Sequence, residues 1–182
     1  MAGKPPDAAA LYEAALNHMA RYAATEAGLA RVLARRIERW GKLQEEAAEA
    51  EELARVMRRA KAEIPGVLSR LKDLGVLNDE AFTASRARRL SREGKSRRAT
   101  LAHLTAKGVK APALPEDPEH ELAAACAYLR RRRAGPFGPA PVEKILAAMA
   151  RGGFSQAISR RALALDRDAA ETLINSLSAP LP

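Results

Sequence analysis

The punctuation of this chain limits its fold more than any other feature. Across residues 71–108, LKDLGVLNDEAFTASRARRLSREGKSRRATLAHLTAKG, Gly75, Gly94 and Gly108 close short runs with apolar residues at helical spacing. Without a Cβ, each can adopt the left-handed conformation that ends a helix. Asn78 follows the first stop as an N-cap, and Ser96 restarts a helix after the second. Asp79 and Glu80 put negative charge in a first turn, where the helix dipole favours it. The spacing predicts a helix over 81–92 and a shorter one carrying Leu101 and Leu104. At about 100° per residue, Arg88, Arg89 and Arg92 fall on one side and Ala84, Ala87 and Leu90 on the other. The expected product is a helical hairpin with a packed side and a cationic side.

The same logic runs along the chain. Leu11, Ala15, Met19 and Tyr22 align, with Leu16 flanking. Thr25 caps a second helix with the stripe Leu29, Val32, Leu33, Ile37 and Trp40, which Gly41 stops. Arg31, Arg35 and Arg39 lie on its other side. Residues 43–74 read as a long helical region striped by Leu43, Ala47, Ala50, Ala54 and Met57, acidic then basic, broken or kinked at Pro65-Gly66. Pro112, Pro115 and Pro118 make a linker, and Asp117 caps the next helix with Pro118 at its first position. Leu122, Ala125, Cys126 and Leu129 repeat at i, i+3, i+4, i+7; Val142, Ile145, Leu146 and Met149 form another stripe. Gly152-Gly153 is a further stop, Ser155 a further cap, and Asp168 the expected cap of a last helix through Leu173 and Leu177.

Strand-like alternation of Val, Ile and Thr is absent, so the fold is all-α with essentially no sheet. Hydrophobic residues make up 47% of the chain but aromatics only 4%, and alanine dominates. That composition suits thin helix–helix packing. A unit recurs: a helix ends at a basic cluster, a second at glycine, and an apolar residue with a cap opens a third. Trp40-Gly41, Lys107-Gly108-Val109 and Gly153-Phe154-Ser155 occupy equivalent places. Units this small stack on neighbours. The boundaries expected are a tail at 1–10, a first repeat with a long helical insertion at 11–75, and a second repeat at 76–110. A proline linker at 111–117, a third repeat at 118–178 and a frayed end at 179–182 complete them.

Catalytic signatures are missing. There is no phosphate-binding loop, no metal-ligand spacing and no nucleophile elbow. His18, His103 and His120 stand singly, and Asp79-Glu80 read as helix-start charges. Cys126, the one cysteine, reads as a small core residue; no internal disulfide is possible and a cytosolic setting fits. No run approaches the roughly 18 apolar residues that span a membrane, and MAGKPPDAAA lacks a signal-peptide core. The expectation is a cytoplasmic, monomeric non-enzyme with no cofactor, no metal and no membrane partner.

Charge points to binding. The formal net charge is +9. Arg86, Arg88, Arg89, Arg92, Lys95, Arg97 and Arg98 are opposed only by Glu93, and Arg130, Arg131, Arg132 and Arg133 form a second cluster. Each can neutralise a phosphate of single- or double-stranded DNA, giving sequence-independent, salt-sensitive binding. A solvated helix face is the competing account, weakened by the uniform sign. Phe82, Trp40 and Phe154 read as core, which leaves base stacking poorly supported.

Leu71, Leu74-Gly75, Leu77, Asp79, Phe82, the arginines from Arg86 to Arg92, Gly94-Lys95-Ser96-Arg97-Arg98, Leu104 and Lys107-Gly108-Val109 together resemble the central motif of the RecX family. That family regulates the RecA recombinase. Residues 15–41 resemble its first repeat, and YLRRRRAGPFG with LAAMARGGFSQAISRRAL its third, so the likeness covers about 14–165. The resemblance implies an elongated, curved array of three tandem three-helix repeats. It further implies a protein that binds the recombinase filament on DNA and restrains its extension, ATP hydrolysis, strand exchange and the SOS response it signals. The basic clusters would then engage filament DNA or acidic groove surfaces. Two departures stand out. The 43–63 segment is longer than the family's connection, and the linker at 110–118 replaces the third helix of the second repeat. The direction of regulation stays open, and a general DNA-binding helical protein acting without a recombinase is the alternative.

Overall fold

The computed structural model of the protein describes residues 4–45 and 48–178. The chain-end expectations for 1–3 and 179–182, and Ala47 in the insertion stripe, lie outside the described residues. The helices are α1 (Ala8–Met19), α2 (Glu26–Lys42), α3 (Ala50–Ala62), α4 (Ile64–Asp73), α5 (Asp79–Arg92), α6 (Arg97–Lys107), α7 (Pro118–Arg132), α8 (Val142–Arg151), α9 (Gln156–Ala164) and α10 (Arg167–Ser176). The all-α reading stands, with one small addition. Ala134–Gly135 (β1) pairs antiparallel with Gly138–Pro139 (β2). None of the described helices is long and apolar enough to cross a membrane.

The chain divides into two compact units. One runs to Phe82 and includes Lys107–Val109; the other holds Thr83–Ala106 and the chain from Lys110 onward. Residues 76–110 contribute to both units.

The first unit is built from α1 to α4. Leu11, Ala15, Leu29, Leu33, Ile37, Ala60, Ile64, Val67, Leu68, Leu71 and Leu77 form its core. Each buried leucine or isoleucine contributes about 1.5–3 kcal/mol relative to exposure. Helix α1 starts earlier than expected, at Ala8, because Asp7 accepts from the Ala10 amide (2.9 Å). It also ends earlier, leaving Tyr22 in the following turn.

Gly41 does not stop α2; it lies within the helix and is buried. A Cβ there would meet the Met57 sulfur and stand 2.8 Å from its Cε, so the glycine admits α3. The long helical region expected over 43–74 is broken next to Pro65, as its proline implies, into α3 and α4. Pro65 sits in the first turn of α4, where its missing N–H removes no helical bond, and so it begins a helix instead of kinking one. The insertion therefore becomes a fourth packed helix, with Leu53 and Ala60 buried. Thr25 caps α2 as expected, accepting from the Gly28 amide (2.9 Å) while donating to the Lys107 carbonyl (2.7 Å). Asp79 adds a second acceptor at the same end, 2.8 Å from the Glu26 amide.

The second unit is centred on α7. Leu122 to Ala127 and Leu129 are all buried, so the helix is enclosed nearly all round rather than along one stripe. Its alanines let α9 and α10 approach closely, and Ile145, Met149, Phe154, Ile158, Ala162, Ala170 and Ile174 complete the core. Asp166, not Asp168, caps α10, accepting from the Ala169 amide (2.8 Å). Residues 108–117 hold no helix, in line with a second repeat lacking its third.

Three stops share one geometry. After α4, α5 and α8, Gly75, Gly94 and Gly153 take φ of +69°, +74° and +93°. In each case the glycine amide and the next amide reach back to the final-turn carbonyls: Lys72 and Leu71, Ser91 and Leu90, Ala150 and Met149. These are Schellman closures, and they aim the chain straight into the caps Asn78, Ser96 and Ser155.

Candidate functional site

In the second unit, α5, α7 and α8 bring their C-terminal turns to an open groove of about 990 Å³. Its cations are Lys95, Arg131, Arg132 and Arg151, and Glu93 is the one carboxylate along its wall. Cations at helix C-termini are favoured by the dipole, by about 0.3–1 kcal/mol each when exposed, which explains their placement without any ligand. It does not explain why three helix ends turn the same sign toward one hollow.

Two of the four cations are held in place. Arg131 Nη1 donates to the Glu93 carbonyl (3.0 Å), fixing it across the end of α5. The Arg132 guanidinium lies 4.9 Å from the Tyr128 ring centroid, and that ring meets Phe154 edge-on at 5.6 Å. Glu93 is already paired with Arg89 (2.8 Å), and that hydrogen bond holds its carboxyl below the usual range. Ser96 Oγ donates to the Gly152 carbonyl (2.6 Å), locking the start of α6 to the end of α8. Arg131 and Arg132 are thus preorganised guanidinium donors, suited to phosphate oxygens, with Lys95 and Arg151 exposed beside them.

The predicted site residues divide. Lys95, Arg131 and Arg132 line the groove. Arg89 and Arg92 are exposed in the last turn of α5, and Arg89 serves Glu93. Arg98 is exposed, its Nε 3.0 Å from where a Cβ on Gly153 would stand. Arg133 is exposed and takes a left-handed φ of 50° to close α7. Three others are engaged by residues of their own chain outside the groove. Arg86 Nε donates to His103 Nε2 (3.0 Å). Arg97 donates to the Leu114 carbonyl (2.8 Å) and also reaches Pro115, securing the linker. Arg130 pairs with Glu171 (3.0 Å). Arg88 is half-buried. The packed side of α5 also differs from expectation: Leu90 and Ser91 are buried while Ala84 is exposed, since Ser91 Oγ meets His120 Nε2 at 2.9 Å.

Sequence reasoning missed Arg151 and Tyr128. The signal for Arg151 was present, because it is the last basic residue before the recognised Gly152-Gly153 stop. Tyr128 opens the YLRRRR run, yet nothing in one sequence separates a groove-floor ring from a core ring. Among the described residues no His, Cys, Asp and Glu are grouped to hold a metal. Cys126 is fully buried, which pushes its thiol up to about 11.

No protein-family model matches the chain, and no solved structure matches it. A curated protein of Myxococcus xanthus (strain DK1622), named regulatory protein RecX, is 35% identical over 165 residues, covering 84% of this chain and 83% of that protein. Identity of that extent over most of both lengths, in a chain whose fold is all-α, places this chain in the RecX family of regulatory proteins.

Proposed function

We propose that the protein regulates a RecA-type recombinase by binding its nucleoprotein filament and restraining filament extension, ATP hydrolysis and strand exchange. Kinship with a RecX regulatory protein over 165 residues carries this reading. The groove supports it physically. Lys95, Arg131, Arg132 and Arg151 offer donors to the phosphates of filament DNA, or to carboxylates along the recombinase, with no need for a base sequence. Arg89, Arg92, Arg98 and Arg133 are exposed cations of the same unit and extend the set that can reach a polyanion.

Recombinase-driven ATP turnover on excess single-stranded DNA tests the proposal. The protein should suppress turnover when present well below the recombinase, because capping one growing end silences many subunits. Suppression only at amounts that coat the DNA would replace the proposal with plain competition for DNA by a general binder.

A further inference from the structure

The first unit has a groove that the reading above does not use. It lies between α1 and α2, with a volume of about 870 Å³. Arg21, Arg35, Arg36 and Arg39 open into it, and Glu13 is the one carboxylate among its lining residues. Arg35 and Arg39 stand one turn apart on the exposed side of α2, and the exposed Arg36 lies nearer the buried Leu33, which also lines the groove. The nearest acid on that helix, Glu38, is turned to Lys61 (3.0 Å). Among the described residues, none of the four arginines is in an ion pair. Arg36 and Arg39 also border an adjoining hollow of about 300 Å³ beside Trp40, where Lys4 is paired with Asp7 (2.8 Å).

An aromatic ring stands at this groove. Tyr22 is 61% exposed, an unusual state for a large ring in so aromatic-poor a chain. His18 steadies it, with ring centroids 5.2 Å apart and planes tilted by 41°. Tyr22 is further fixed by its own amide, which donates to the His18 carbonyl (2.9 Å).

We propose that this groove is a second binding site, for single-stranded nucleic acid, with phosphates on Arg21, Arg35, Arg36 and Arg39 and a base stacked on Tyr22. The ring decides between polyanions. An acidic protein face would use the guanidiniums but gains little from an open phenol, whereas every nucleobase has a face to stack on it. Duplex DNA offers phosphates but keeps its bases stacked inside. The site lies in the first unit and needs no recombinase, so it is independent of the function proposed above.

The test uses the full-length chain, with circular dichroism to verify folding. The second-unit groove is disabled by Lys95→Glu, Arg131→Glu, Arg132→Glu and Arg151→Glu, and binding of a fluorescent oligothymidylate is followed by anisotropy across a salt series. Binding should persist in this background. Tyr22→Ala should then weaken it about 5- to 160-fold, and Tyr22→Trp should restore it. Arg35→Ala with Arg39→Ala should lower the slope of log K against log salt by about 1.4. Absence of residual binding, or a Tyr22→Ala variant that binds as before, overturns the proposal. So does a polyglutamate probe that binds as tightly as the oligonucleotide with no dependence on Tyr22, which would make the groove an acidic-protein surface.

Discussion

Gly94 and Tyr128 meet backbone to backbone: a Cβ on Gly94 would stand 2.6 Å from the Tyr128 nitrogen and 2.7 Å from its Cα. The glycine has φ of +74°, and its stop turns the chain toward α6 where α7 crosses. No side chain can yield to relieve the contact, since both opposing atoms are main chain. Gly94→Ala therefore combines left-handed strain with a forced backbone shift, and should cost about 3 kcal/mol or more. Gly75 has the same sign of φ, but open space where its Cβ would be, so Gly75→Ala should cost only about 1 kcal/mol. Urea titration of both variants measures the difference. Equal losses would mean that the two backbones do not approach as described.

Glu121 gives a pH-dependent prediction. Burial pushes its carboxyl above the ordinary range, opposed by the Arg97 amide that donates to it at the start of α6 (2.9 Å). The folded state thus holds this proton more readily than the unfolded chain does. The charge on Glu121 lowers stability above the folded-state pKa, and that loss fades as pH falls toward the unfolded value near 4.5. Glu121→Gln keeps an acceptor and removes the charge. It should match or exceed the parent in stability at pH 7, with any advantage shrinking toward pH 4.5. Glu121→Ala leaves the amide without its acceptor and should lose about 1 kcal/mol at either pH. Thermal melts at the two pH values check both.

Cys126 reports on the opening of the second unit. A fully buried thiol pushed up to about 11 has almost no thiolate at neutral pH and no route for a reagent. Labelling with a thiol reagent at pH 7.5 should be negligible in native buffer and stoichiometric in denaturant. Fast native labelling would contradict the packing of α7.

Arg97 and Arg131 should behave differently although both belong to basic runs. Arg97 is committed to the Leu114 and Pro115 carbonyls, while Arg131, held at one nitrogen by the Glu93 carbonyl, is exposed at the groove. Arg97→Ala should speed proteolysis within 110–117 and change DNA affinity less than twofold. Arg131→Ala should spare the linker and lower the salt slope of single-strand binding by about 0.7. Limited proteolysis and anisotropy separate the two.

Legibility in the sequence followed side-chain size. Glycines with a positive φ and short polar caps act locally, so Gly75, Gly94, Gly153, Thr25, Asp117 and Ser155 could be read directly. Alanine could not, because it fits any helix face: the full enclosure of α7 and the exposure of Ala84 depend on what packs against them. Gly41 looked like a stop because the close approach of Met57 is a long-range fact. The basic runs were visible, but which cations turn to a groove and which to their own carbonyls depends on tertiary partners, as Arg97, Arg130 and Arg86 illustrate. Arg151 was hidden by the same limit, since it joins Lys95 and Arg131 only once α8 docks.

Binding to a preassembled recombinase filament on single-stranded DNA is the most direct measurement. The wild-type chain should be compared with the variant carrying Lys95→Glu, Arg131→Glu, Arg132→Glu and Arg151→Glu, both at matched helicity. The account predicts that the variant loses at least tenfold in filament affinity and no longer suppresses ATP turnover. A folded variant that binds and suppresses as the wild type does would contradict it.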